Sequence, residues 1–396
     1  RGKLVRETLS QELREMKKKL ATTMSDIAMM QTTSRDERQT WKDTVQNLQK
    51  EIDRKDAPIL FAAVFGTVAL LLCVHEWCWN SLAKRGDIVL PCTTPLERQD
   101  IAMTPRDPYI VSMSQLTEPY AQSRNDYDIF AGIASELGIL DAFTGGCSDV
   151  EWQRIIYEET RQSAAEMGHD LPEYERFLKE GWHKIDDPSE PTIMLKQFRD
   201  DPVRNALATP SGKIEIFSKT VSDFRYDDCP GHTVWREPYE WLGSDDQSHP
   251  FHLISNQPPA KLHSQIDHGS VSRASKVNGR EALHIHPVDA ETLRLKNGTL
   301  VRVYNDRGAC LGTTVIDPAM RRNVVQMSTG SWFDPLDPAD PYSLCKHGNP
   351  NVLTRDKGTS RLGQGPSAHT CMVSIEAFIG EAPKVTAHEP PEIIRK

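Results

Sequence analysis

Apolar residues recur at a seven-residue step between Leu9 and Ile52, at Leu13, Leu20, Ile27, Trp41 and Leu48, with Leu9, Met16 and Met30 on the flanking position. Charged and amide side chains fill the gaps, and neither Pro nor Gly occurs. The spacing predicts a long N-terminal helix with an imperfect coiled-coil seam, interrupted at Ser34 and Glu37. Self-association and a solvated surface helix both fit it. The next run, Ala57 to Val74, is 18 residues without a charge. That length reaches the lower limit for crossing a bilayer, and Lys50, Arg54 and Lys55 before it favour a cytosolic N-terminal side. A long charged helix precedes the run, so it does not read as a signal peptide. The rival reading is a buried parallel strand with its helix, since such strands are apolar on both faces.

Val74 to Asp100 then reads as strand, helix, strand, with Asp87–Pro91 as the second strand. His75 and Glu76 fall at the end of the first strand, and Glu97, Arg98 and Asp100 follow the second. Ligands of open α/β sheets bind beyond such carboxyl ends. Helices are predicted over Asp126–Leu140, Asp149–Met167 and Leu171–Lys179. Acidic, Pro-rich connections at Asp186–Pro191, Tyr226–Pro230 and Ser244–Pro250 mark loops, with a domain boundary near 240–250. From Phe251 onward the pattern changes to short strands: Leu283–Ile285, Thr299–Asn305, Ala309–Ile316 and Val324–Ser328, with a small helix at Asp289–Leu295. Tight turns at Asn297-Gly298 and Asp306-Arg307-Gly308 separate strands, which indicates a closed β barrel. The segment after Glu381, rich in Pro, Glu and Lys, reads as loose.

Charge and cysteine spacing narrow the chemistry. The 396-residue chain is long enough for two or three domains, and its net charge of −9 argues against nucleic acid as a partner. Residues 1–56 carry 13 Lys+Arg and 10 Asp+Glu, a net of +3 against −12 for the remainder. A basic head on an acidic body indicates segments of different role. The eight cysteines, Cys73, Cys78, Cys92, Cys147, Cys229, Cys310, Cys345 and Cys371, contain no C-x-x-C pair. Neither a zinc knuckle nor a cubane cluster is signalled, and buried free thiols are the simpler reading. Cys345-Lys346-His347 and the alternating His284 and His286 lack further ligands for a metal. No G-x-S-x-G, P-loop or H-E-x-x-H is present.

The densest polar stretch is Leu253 to Gln265, LISNQPPAKLHSQ. Two prolines stiffen a loop crowded with hydrogen-bonding groups, which suits either a surface connection or a loop that holds a ligand. This wording resembles the loop that opens the C-terminal domain of molybdopterin oxidoreductases of the dimethyl sulfoxide reductase family, in the biotin sulfoxide and trimethylamine N-oxide reductase branch. HEWCWNSLAKRGDIVLPCTTPLERQDIA, SRNDYDIFAGIASELG and CKHGNPNVLTRDKGTSRLGQGPSAHT resemble the same family in the same order. The resemblance runs from about Val74 to about Ile379. Residues 1–73 do not share it, so they read as a fusion, a truncated frame or a gene-prediction artefact.

The resemblance implies an α/β portion followed by a six-stranded double-psi β barrel, behind the N-terminal long helix. With the hydrophobic pattern of residues 1–73 it divides the chain into a coiled-coil-like helix (1–56), an apolar segment that could be a transmembrane helix (57–73), a partial α/β domain (74–245), a dinucleotide-binding barrel (246–380) and a loose tail (381–396). It also implies the cofactor, bis-molybdopterin guanine dinucleotide with molybdenum. That ligand needs cations for its diphosphates, a carboxylate for the guanine N–H edge and neutral donors and acceptors for its pterins. Arg98 and Lys261 match the diphosphate positions, and Asp128 the guanine position. His75 and Glu76 sit where the family meets the nucleotide. Ser255, Asn256, Gln257, His263, Ser264 and Gln265 match the pterin loop, with Asn351 and Gln364 closing it. The plain alternatives are an Arg98 pair with Glu97 or Asp100, a helix-capping Asp128 and a structural His263.

The implied function is that of the C-terminal part of a molybdenum-dependent S- or N-oxide reductase. Its partners would be a small sulfoxide or N-oxide and an electron donor protein, and its location the periplasm or cytoplasm. No segment matches the half of the family that supplies the serine ligand to the metal, so no catalytic or metal-binding residue is assigned. The competing reading is a membrane-anchored, self-associating coiled-coil scaffold with an inactive reductase-like body.

Overall fold

The computed structural model describes residues 72–105, 107–186, 193–340 and 342–392. The coiled-coil-like helix and nearly all of the apolar run lie outside these residues. No described helix is long and apolar enough to cross a membrane. The described chain forms two compact units, one of residues 72–77 and 86–186, the other of 78–85 and 193–392.

In the first unit β1 (Cys73–Glu76) and β2 (Ile88–Pro91) pair in parallel, Cys73 opposite Ile88 and Glu76 opposite Pro91. The helix expected between them is a single 3-10 turn, Ala83–Arg85. A three-stranded antiparallel sheet, which the hydrophobic pattern did not announce, follows in the order β3 (Asp100–Met103), β4 (Tyr109–Met113), β5 (Trp182–Lys184). The helices of this unit are α1 (Asp126–Glu136), α2 (Leu140–Thr144), α3 (Asp149–Glu166) and α4 (Tyr174–Glu180), of which α3 and α4 pack on that sheet. α3 starts where Ser148 and Glu151 cap each other's backbone N–H, satisfying two donors that a bare helix end would leave exposed. Tyr157 and Phe177 stack at 4.5 Å beside Ile110 and Tyr174 to make the unit's core.

The second unit begins with α5 (Lys196–Asp200) and α6 (Lys219–Asp223) and then builds the expected closed six-stranded barrel. Its strands are β6 (Phe251–Ile254), β7 (Ala282–Ile285), β8 (Leu300–Asn305), β9 (Gly308–Ile316), β10 (Val324–Met327) and β11 (Cys371–Ala377). They close in the order β10-β6-β11-β8-β9-β7, with β6–β10 and β7–β9 parallel. Along β8 the side chains alternate, Val301 and Val303 inward and Arg302 and Tyr304 outward, as a half-buried strand requires. Leu253, Leu283, Ile285, Val325 and Val373 complete the interior. Each such side chain contributes roughly 1.5–3 kcal/mol by leaving water. α7 (Ser270–Ala274) and α8 (Pro287–Thr292) flank the barrel strands in the chain. α8 is started by Pro287 and by the His286 ring, which accepts from Val288 N–H.

Two expectations change here. The described part of the segment after Glu381, residues 382–392, is not loose: Ala387 is buried, Lys84 donates to the Thr386 and Ala387 carbonyls at 2.8 and 2.7 Å, and Thr386 makes two 2.7 Å bonds to Asp334. Composition suggested disorder, but partners distant in sequence hold the backbone. The cysteines are all free, yet only Cys92, Cys310, Cys345 and Cys371 are buried.

Candidate functional site

In the first unit a cleft of about 860 Å³ opens at the carboxyl end of β2, between Leu90, Pro91, Arg124 and the α1 residues Asp128, Gly132 and Glu136. The backbone of Arg124 accepts from Thr93 N–H at 3.0 Å and donates to the Pro91 carbonyl at 3.1 Å, so its position is fixed. Asp128 does not cap its helix. The N-cap is Asn125, and Asn125 itself bonds Thr93 and Asp149. Partial burial and then the Asp149 charge push the Asp128 carboxyl up, with Arg124 opposing. A carboxylate and a guanidinium thus share one open cleft, and neither side chain is hydrogen-bonded among the described residues.

The remaining predicted residues of this unit are more constrained. His75 lies at the end of β1 with Nδ1 3.3 Å from Asp126 and its ring against Phe130. Glu76 accepts from Trp77 N–H. Arg98 makes the local pair that the sequence left open, donating to Asp100 at 3.3 Å and to the Thr93 carbonyl at 3.2 Å. Its five N–H donors exceed those two bonds.

In the second unit the polar loop leaves β6 clamped along its backbone. Thr329 N–H donates to the Asn256 carbonyl, Ser328 Oγ to Asn256 Oδ1, Gln257 Nε2 to the Lys261 carbonyl and Trp332 Nε1 to the Ser264 carbonyl, the last two at 2.7 Å. His263 and Ile266 hold left-handed backbone, φ 50° and 54°, a conformation that costs a non-glycine residue on the order of 1–3 kcal/mol. Gly330, φ 94°, packs so closely on the loop that an added Cβ would meet the His263 carbonyl. Ser255 is buried. The exposed side chains of His263, Ser264 and Gln265 make no hydrogen bond among the described residues. Asn351 is exposed on the Pro350–Val352 turn, and Gln364 bonds the Ser360 and Arg361 carbonyls of its own loop. No hydrogen bond among the described residues joins either to the 255–265 loop.

Lys261 departs from its expected role. Its side chain is 1% exposed, and its ammonium sits 2.8 Å from Asp267 and 3.2 Å from Glu281. Both carboxylates also hold Lys276, at 3.0 and 2.9 Å. A cation enclosed this way is not presented to a diphosphate.

This buried network escaped the sequence reading, because single charges in irregular segments carry no periodicity. Asp267 also accepts from Ser272 Oγ, Trp332 N–H and His388 Nε2, and Glu281 from Ser331 Oγ. Burial raises the Asp267 carboxyl, but the His388 bond, Lys276 and Lys261 outweigh it and hold the group well below the ordinary carboxylate range. His347 is fully buried and donates from Nδ1 to the Trp332 carbonyl, leaving Nε2 without a partner. Burial, then the Lys276 charge, push it down to about 4.

Asp267, His347 and His388 bring ligand atoms within 4.8 Å of one another, a spacing compatible with a metal ion. The charges decide against one. A divalent cation there would face two buried ammoniums already seated on Asp267.

Residues 251–372 match the model of the molydopterin dinucleotide binding domain. The chain is 38% identical over 329 residues to the trimethylamine-N-oxide reductase of Haemophilus influenzae, covering 81% of this chain and 40% of that protein. It is 40% identical over 312 residues to the biotin sulfoxide reductase of Cereibacter sphaeroides, covering 78% and 41%. Against the dimethyl sulfoxide/trimethylamine N-oxide reductase of Rhodobacter capsulatus the identity is 36% over 323 residues, covering 81% and 39%. The chain therefore spans about two fifths of the length of these relatives. Among solved structures, acetylene hydratase from Pelobacter acetylenicus aligns with a TM-score of 0.58 at 19% identity, over 78% of this chain and 40% of that one, a likeness of fold.

Proposed function

We propose, on the premise that this chain belongs to the dimethyl sulfoxide reductase family and corresponds to its C-terminal portion, that it supplies cofactor-binding surfaces of a molybdenum-dependent S- or N-oxide reductase. The observation that carries this is the 255–265 loop, whose backbone is clamped at Asn256, Lys261 and Ser264 while His263, Ser264 and Gln265 keep unbonded side chains. Rigid backbone with free polar tips is what a preorganised ligand loop needs.

Each unit by itself carries donors and acceptors of the kinds that parts of bis-molybdopterin guanine dinucleotide need. Ser255, Asn256, Gln257, His263, Ser264 and Gln265 would meet a pterin, with Asn351 and Gln364 as further contacts. Asp128 would accept from a guanine N–H edge, Arg124 and Arg98 would meet diphosphate, and His75 and Glu76 would flank the nucleotide. The uncapped Asp128 supports this, since its acceptor oxygens are not occupied by its own helix. When bound, the cofactor supplies two-electron chemistry: the S–O or N–O bond of the substrate breaks and its oxygen leaves as water, with electrons from a donor protein and two protons. The residues named here bind and orient. The proposed division is a partial α/β domain over 74–245 and a dinucleotide-binding barrel over 246–380.

The test is to purify the chain from a host that makes the cofactor and to measure molybdenum and acid-released GMP per chain. Both should exceed the levels in an Asp128→Ala variant. Equal, background levels in both proteins defeat the proposal.

A further inference from the structure

We propose that Asp267, together with His388 from the C-terminal segment, positions the 255–265 loop, an inference that rests on reading this loop as the cofactor loop. Asp267 is inaccessible to solvent, and its two oxygens face different parts of the second unit. Oδ1 takes the ammoniums of Lys261 and Lys276, and Oδ2 takes Trp332 N–H at 3.1 Å and His388 Nε2 at 3.0 Å. Lys261 belongs to the loop itself. Trp332, held by the same carboxylate, donates its indole N–H to the Ser264 carbonyl and so grips the loop three residues further on. One buried carboxylate thus touches both Lys261, which Glu281 also holds at 3.2 Å, and the Trp332 backbone that carries the indole gripping Ser264.

The 382–392 segment reaches that carboxylate from 121 residues away in sequence. Thr386 is pinned to Asp334 two residues before His388, and Lys84 holds the Thr386 and Ala387 carbonyls. His388 edges against both Trp332 and His347, with ring centroids 5.3 and 4.9 Å away. Removing its N–H leaves Oδ2 one donor short beside the Trp332 backbone. In a buried site that deficit is relieved by rotating the carboxylate or admitting water, and either loosens Lys261 and Trp332 together. A segment that only covered the barrel would not reach the loop in this way.

Amide hydrogen exchange on the full, cofactor-free chain tests this. His388→Ala should speed exchange in peptides covering 255–265 by roughly tenfold, the loss of about one charge-assisted bond, while β8 and β9 keep their protection. His388→Gln, which retains an N–H donor, should restore much of the protection. Should His388→Ala release only the 382–392 peptides and leave 255–265 unchanged, the positioning role is overturned. It is overturned equally if β8 and β9 lose protection along with the loop and Gln does not rescue. Exchange is read without cofactor, so this outcome is separate from the GMP measurement, whose failure overturns the functional reading alone.

Discussion

Lys261 Nζ lies 2.8 Å from Asp267 Oδ1, with neither side chain exposed by more than 1%. A lysine in a loop rich in polar side chains is thereby an internal tie, and its substitution should read out in stability. Lys261→Met leaves two buried carboxylates facing a single lysine, and should lower unfolding free energy by about 3–5 kcal/mol, the cost of breaking a buried pair. Urea denaturation at pH 7 checks this. A variant that kept wild-type stability and lost only GMP would return Lys261 to a phosphate-binding role.

His347 gives the fold a sensitivity to mild acid. Its folded pKa, about 4, lies below its ordinary value of 6.5. The unfolded chain therefore takes up a proton first as pH falls, and stability declines between about pH 6.5 and 4, by on the order of 3 kcal/mol. Asp267 acts lower still. A depressed carboxylate contributes stability above the unfolded value of about 3.9 and loses it as pH falls further. Denaturation midpoints at pH 7 and pH 4.5 should differ clearly, and His347→Gln should flatten the difference. Equal slopes in the two proteins would remove His347 as the cause.

Asp128→Asn should separate binding from folding. The side chain neither caps α1 nor makes a hydrogen bond among the described residues, so its loss should shift stability by no more than about 0.5 kcal/mol. GMP content should drop several-fold, and Arg124→Gln should act in the same direction. A large drop in melting temperature without loss of GMP would mark Asp128 as structural.

Gly330→Ala probes the contact beneath the loop. The residue has φ 94°, and a Cβ would sit 1.8 Å from the His263 carbonyl oxygen. Chain displacement is unavoidable, and a loss of about 2 kcal/mol or more is expected from the strained backbone and the collision together. Faster exchange at 255–265 should accompany it; a neutral substitution would show that the two segments do not touch in solution.

Several parts of the barrel were legible in the chain because their pattern is local. Thr299–Asn305 alternates, Asp306-Arg307-Gly308 turns, and the strands from Leu283 and Val324 are short apolar runs. β11 was not announced, since Cys371–Ala377 shows no bounded alternation and is a strand only through its partners β6 and β8. The β3–β4–β5 sheet has the same origin: β5 pairs with β4 from about seventy residues away, and its three residues carry no pattern of their own.

The sequence by itself determined the chemistry on offer: the LISNQPPAKLHSQ loop, Asp128 at the head of a helix, the strand ends at His75 and Glu76. Tertiary structure alone decided which of those groups are left open to solvent and which face the interior. Lys261 and His263 are two residues apart in one polar loop, yet one is enclosed by Asp267 and Glu281 and the other is left open. The physical reason is that a charge can be buried only where opposite charges converge on it, and Asp267, Lys276, Glu281 and His388 converge through long-range folding that no local pattern records.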